Sequence, residues 1–173
     1  MTGKHWIAFI LAALGIMIGV ESQASPTCEA AVGHAYGNTS TPRPKRAVES
    51  CLRVSKMARA YGVPQSLAIA TATYESRLDR TRVSSSGALG VMQVKPHYHC
   101  PPLLGIRWCM THAEIAESGV RYLGALLERY DETKALTCYH DGIRACRGRY
   151  SSRYSGAVQA MQRAIVNRQR REN

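Results

Sequence analysis

The strongest candidates for chemistry in this chain lie in ATATYESRLDR, residues 70–80. Val63 to Tyr74 carries no charged side chain, yet Glu75 follows at once and Asp79 stands four positions further on. Two carboxylates four apart on an unbroken helix would share one face. Such a pair could act as acid and base on a glycosidic bond, where carboxyl separations of about 5–5.5 Å or 6.5–9.5 Å are used. The polar run after Glu75 and the loop that follows make an unbroken helix a poor expectation, so Asp79 reads better as a turn residue. Glu75 alone also has a chemistry. At the end of an apolar helix, desolvation disfavours its ionised form, and the negative end of the helix dipole does the same. Both effects suit a general acid that keeps its proton near neutral pH. The competing reading is an exposed last-turn glutamate paired with Arg77 or Arg80.

The cysteines and histidines are the other reactive set. Six cysteines (Cys28, Cys51, Cys100, Cys109, Cys138 and Cys146) all follow the first 25 residues. An even number in an exported chain of this size favours disulfides. Many pairings remain open, with spacing favouring 28–51, 100–109 and 138–146. His97-x-His99-Cys100 followed by Cys109-x-x-His112 offers metal-ligand types, but the spacing fits no common zinc module. Neither a metal nor an organic cofactor is expected.

An exported chain is expected from its start, MTGKHWIAFILAALGIMIGVESQAS. Lys4 precedes a fourteen-residue apolar run, Ile7 to Val20, and Ser22-Gln23-Ala24 offers small residues for cleavage. That run would span only about 21 Å as a helix, short of a bilayer core of roughly 30 Å. A cleaved signal peptide over 1–24 is the expectation; an uncleaved anchor is the alternative. Lys4 and Glu21 cancel, so the remainder keeps the net charge of +11. That excess favours adhesion to an anionic polymer or envelope. Nucleic acid is not expected, because the basic residues are scattered and not interleaved with aromatics.

The elements that must position Glu75 are mostly helical. Residues 25–45 read as an N-terminal tether, with GHAYGNTSTPRPK at 33–45 a loop. Ala47, Cys51, Val54, Ala58 and Tyr61 recur at helical spacing over 46–61. Gly62 can cap that helix, and Pro64 suits the first turn of the next. The helix over roughly 64–76 is nearly all apolar and should cross the core. SSSGALGVMQVKP then argues turns, with a short extended piece near 90–94. Helices are expected over 113–130, 134–140 and 155–169, with 142–150 a clamped loop. The fold class is mainly α, α+β only in the sense of minimal strand.

Tyr74-Glu75-Ser76, followed by Ser84-x-x-Gly87-Ala88-x-Gly90-x-Met92-Gln93-x-x-Pro96, resembles the soluble lytic transglycosylase family of the lysozyme-like superfamily. Gly119-x-x-Tyr122-Leu123-x-x-Leu126-Leu127 and Ala135-Leu136-x-Cys138-Tyr139-His140-x-Gly142 resemble its second and third motifs. The likeness covers roughly residues 46–160 and implies a single lysozyme-like domain over 46–173. It implies Glu75 as catalytic acid/base. Gly87 and Gly90 would bring the backbone close to the sugar. Met92 would pack behind the acid, Gln93 would reach substrate, and Tyr139 would position both glutamate and sugar ring. Ser84 and Ser76 would support the loop and the helix end. His140 departs from the family's usual asparagine, and Asp141 from a small residue.

The resemblance also implies the reaction. Glu75 would protonate the oxygen between N-acetylmuramic acid and N-acetylglucosamine, then take the proton of the C6 hydroxyl as it attacks the anomeric carbon. The product would be a 1,6-anhydromuramyl end. A hydrolytic muramidase of goose-type lysozyme character, or a wall-binding protein without turnover, are the alternatives. The expected partner is the peptidoglycan glycan strand, met by a periplasmic or extracellular monomer. The setting stays open between a secretion or conjugation apparatus, a phage and wall remodelling.

Overall fold

The computed structural model describes residues 26–37, 42–95, 110–147 and 152–172. The leader, the 100–109 cysteine pair and the His97–Cys109 ligand set lie outside the described residues. Six α-helices run through the described parts: α1 Pro26–Tyr36, α2 Pro42–Ala60, α3 Gln65–Ser76, α4 His112–Leu127, α5 Glu132–Asp141 and α6 Ser152–Glu172. The extended backbone is limited to two isolated antiparallel bridges, Val83 with Leu89 and Leu89 with Val94. The mainly helical expectation holds.

One expectation needs correction. The tether is instead a packed helix over Pro26–Tyr36, and α2 begins at Pro42, inside the segment read as a loop. The polar and glycine-rich composition of 33–45 hid the apolar side of α1. Cys28, Ala30 and Ala31 are fully buried, and a disulfide ties Cys28 to Cys51 of α2. Close packing is purchased with small side chains here. Gly33 lies so near the Arg168 guanidinium of α6 that a β-carbon would come within 2.5 Å of it.

α3 is the central element and packs against α1, α2 and α6. Leu67, Ala68, Ile69, Ala70 and Ala72 are fully buried. Its buried hydroxyls are satisfied within the helix, Thr71 donating to Leu67 O at 2.9 Å and Thr73 to Ile69 O at 2.7 Å. This explains how a helix without a polar stripe can carry two threonines through a core. α2 stops because Gly62 adopts φ +65°. The Val63 N–H then reaches back to Ala58 O, and the Gly62 N–H to Arg59 O, the paired bonds of a Schellman end. Pro64 precedes α3 as its cap, one position earlier than expected.

α4 starts at a reciprocal capping box. Thr111 accepts from the Glu114 N–H, and Glu114 accepts from the Thr111 N–H. A second disulfide, Cys138–Cys146, clamps the end of α5 to the 3-10 turn Ala145–Arg147.

Candidate active site

Glu75 sits in the last turn of α3, where the backbone reverses abruptly. Arg77 and Leu78 both take left-handed conformations, φ +57° and +63°. Two such non-glycine residues in sequence cost about 1 kcal/mol or more each. The turn is held from several sides. Leu78 is fully buried, and the Tyr36 hydroxyl donates to Arg77 O at 2.6 Å. The Arg77 guanidinium lies over the Tyr36 ring at 5.4 Å and donates to Ala35 O. The end of α1 therefore clasps the turn that directs the acid. Ser76 Oγ lies 3.0 Å from Ala72 O and 2.9 Å from Val91 O, linking the helix end to the following loop. Asp79 Oδ1 accepts from the Thr81 N–H at 2.9 Å and the Thr81 hydroxyl at 2.7 Å. Asp79 thus takes part in a side-chain turn.

Glu75 is partly buried, and Tyr154 of α6 donates to its Oε1 at 2.5 Å. Burial raises the carboxyl pKa above the ordinary glutamate value. The Tyr154 hydrogen bond, His140 and Arg82 pull in the opposite direction without cancelling the rise. Tyr154 is itself buried, and its phenol is pushed well above the usual range by burial and by the neighbouring carboxylate. Tyr74 meets its ring edge-on at 5.3 Å, while the His140 ring stacks on it at 4.2 Å with 12° between planes.

Burial and the nearby Glu75 carboxylate push the phenol of Tyr139, the tyrosine expected to position the acid, well above its usual range. Tyr139 donates its hydroxyl to Met92 O at 2.7 Å, and its ring lies 5.7 Å from that of Tyr122. The hydroxyl on Glu75 is that of Tyr154, which the motifs did not reveal. Tyr154 and Glu75 are 79 positions apart, so no local spacing connects them. The available hint was an apolar ring in the first turn of an otherwise basic helix.

The loop residues divide into two groups. Met92 is fully buried behind the site, against Gly119 of α4. A β-carbon on Gly119 would come within 2.4 Å of Met92 Cβ and 3.0 Å of the Tyr139 hydroxyl. Gln93 takes φ +49° and donates from Nε2 to Gly90 O at 3.0 Å. Ser84, Gly87 and Gly90 build the loop. Ser84 Oγ accepts from the Ala88 N–H at 2.9 Å. Gly87 and Gly90 take φ +79° and +71°, conformations that favour glycine. Gly90 packs against Ile115, whereas a side chain at Gly87 would meet nothing within 4 Å.

A cavity of about 460 Å³ opens beside this assembly. Gln93, Lys95, Ser118, Tyr122, Tyr139, His140, Asp141 and Ile143 are among its lining residues. Gln93 and Tyr139 are thereby brought together, while Glu75, Met92, Ser84, Gly87 and Gly90 lie outside the lining. Exposed Tyr122 and Ile143 give it apolar surface, the kind of platform on which a sugar face can rest. Partial burial, a phenol donor and an adjoining groove equip the site for proton transfer to a leaving-group oxygen. Among the described residues, no group of three or more histidine, cysteine or acidic side chains is arranged to hold a metal.

No solved structure matches the chain. A protein-family model described as the transglycosylase SLT domain matches residues 53–162.

Proposed function

The chain belongs to the transglycosylase SLT domain family, lytic transglycosylases that act on peptidoglycan, and from that premise we propose that Glu75 serves this chain as its single acid/base. Glu75 protonates the glycosidic oxygen between N-acetylmuramic acid and N-acetylglucosamine. The carboxylate then removes the proton of the C6 hydroxyl, whose oxygen attacks the anomeric carbon. The bond to the leaving sugar breaks, a 1,6-anhydromuramyl end forms and no water is consumed. Positive charge developing at the anomeric carbon is shared by the substrate's N-acetyl group.

The observation that carries this reading is the environment of Glu75. Burial favours the proton needed in the first step. The Tyr154 hydroxyl and the nearby His140 and Arg82 favour the carboxylate needed in the second. A group that must serve as acid and then as base benefits from opposing influences of this kind. Asp79 is engaged with Thr81, which supports a one-carboxylate mechanism. Gln93 and Tyr139 contact the sugar from the cavity wall, Met92 backs the site, and Ser84, Gly87 and Gly90 keep the loop in shape.

A second reading is favoured by Asp141, a carboxylate that lines the same cavity. If it activates water, the enzyme is a muramidase that releases reducing ends. Mass spectrometry of the released muropeptides separates the two, anhydro products being expected. Glu75→Gln is expected to lower turnover at least 100-fold, the lower bound of the range for a general acid–base group, roughly 10²–10⁴-fold. Near wild-type cleavage by that variant would sink the assignment.

The two disulfides among the described residues suit an oxidising compartment outside the cytoplasm. No described helix is long and apolar enough to cross a membrane. Export through the N-terminal leader, followed by action on the wall as a monomer, completes the proposal. The apparatus served is a secretion or conjugation machine, a phage, or the cell's own wall remodelling.

A further inference from the structure

His140 occupies a junction that the reaction above does not use. Its ring stacks on Tyr154, whose hydroxyl is on Glu75. It is among the residues that line the cavity, and its Nε2 lies 3.9 Å from Asp141 Oδ1. We propose that His140 is a positioning residue acting through Tyr154: its ring holds the phenol on Glu75, and a positive charge on it favours the carboxylate.

The physical argument has two parts. Tyr154 lies between Tyr74, meeting its edge, and His140, covering its face. Removing the imidazole would uncover the stacked face of the phenol and loosen the 2.5 Å hydrogen bond to Glu75. A flat ring at position 140 is therefore needed, whatever its charge. The second part is electrostatic. Histidine is the side chain whose charge ordinarily changes near neutral pH. A protonated imidazole gains cation–π attraction on the phenol and favours the Glu75 carboxylate; a neutral one leaves burial to favour the protonated acid. The charged and titratable groups around this junction are Glu75 on α3, Arg82 and Lys95 on the loop, Tyr122 on α4, Asp141 on α5 and Tyr154 on α6. Among the described residues, His140 is the one whose ring stacks face to face on Tyr154.

The inference rests on Glu75 being the acid, and its test keeps the two claims apart. The full exported chain carrying His140→Ala or His140→Phe is compared with wild type on soluble peptidoglycan strands, with kcat and KM followed across pH. His140→Ala is expected to lose about tenfold in kcat with little change in KM, as a misaligned catalytic group does. His140→Phe keeps the stack and is expected to recover most of that loss. In the Phe variant, carbon-13 NMR of the Glu75 carboxyl should show its titration moved upward by about half a pH unit, because the positive neighbour is gone. Failure of Phe to recover the turnover lost in Ala, or a Glu75 titration unchanged in Phe, overturns the inference. Absence of cleavage by the wild type itself would instead overturn the reading of Glu75.

Discussion

At the scale of single residues, Glu75 is, on the proposed reading, the group whose protonation links activity to stability. Its pKa is raised in the folded chain, so the fold favours the protonated form. The associated stability is fully present below the ordinary glutamate value and is lost as pH rises through the raised one. Glu75→Gln removes that loss. Thermal melts should show the variant gaining on wild type as pH increases from acid to neutral; equal differences at acid and neutral pH would contradict the burial argument. Activity follows the same sign, because the first step needs the proton, so turnover should decline as pH rises through the Glu75 titration. Tyr154→Phe deletes the donor to the carboxylate while keeping the ring. Without that donor the ionised form loses support, and the alkaline decline should move to higher pH. The maximum rate should fall about tenfold through loss of alignment. A pH–rate profile superimposable on wild type would show that the bond seen here plays no part in turnover.

At the scale of elements, the site depends on close approaches between helices. Gly119 lets Met92 and the Tyr139 hydroxyl sit against α4. Gly119→Ala places a methyl group 2.4 Å from Met92 Cβ, so the loop must shift. Overpacking of this kind costs about 1–3 kcal/mol, measurable by urea denaturation, and the displaced loop should lower turnover as well. A variant of wild-type stability and activity would mean that the loop adapts freely. This scale also explains what the sequence disclosed. α3 was legible because an uncharged, largely apolar stretch between Gly62 and Glu75 has little alternative to a core helix. The third disulfide-bearing motif announced α5 through its alanine, leucine and tyrosine spacing. α1 was not legible. Alanine, glycine and histidine give little periodic contrast, and its burial depends on α2 and α6 being present. The Tyr154–Glu75 pair was hidden for the same reason, as a contact made by tertiary packing and not by local spacing.

At the scale of the molecule, α1 has a purpose that its tether-like composition concealed. It packs against α2, α3 and α6, and Tyr36 at its end holds the turn after Glu75. The Cys28–Cys51 bond fastens it there across 23 positions. Replacing both cysteines by alanine should cost about 3 kcal/mol by loop-closure entropy, read as a lower denaturation midpoint, and should reduce activity before global unfolding begins. Coincident loss of activity and helix content would show that α1 is no separate support of the site. The Tyr154–Glu75 hydrogen bond has a further consequence, in the order of synthesis. A ribosome completes the acid, the loop and both later motifs before it reaches α6. Until then α3 lacks the helix against which it packs most extensively, and Glu75 lacks its phenol. A nascent chain that stops short of α6 can therefore display every recognisable motif while Glu75 lacks its phenol. On the proposed reading of Glu75, the capacity to cut the wall is assembled only once α6 is in place.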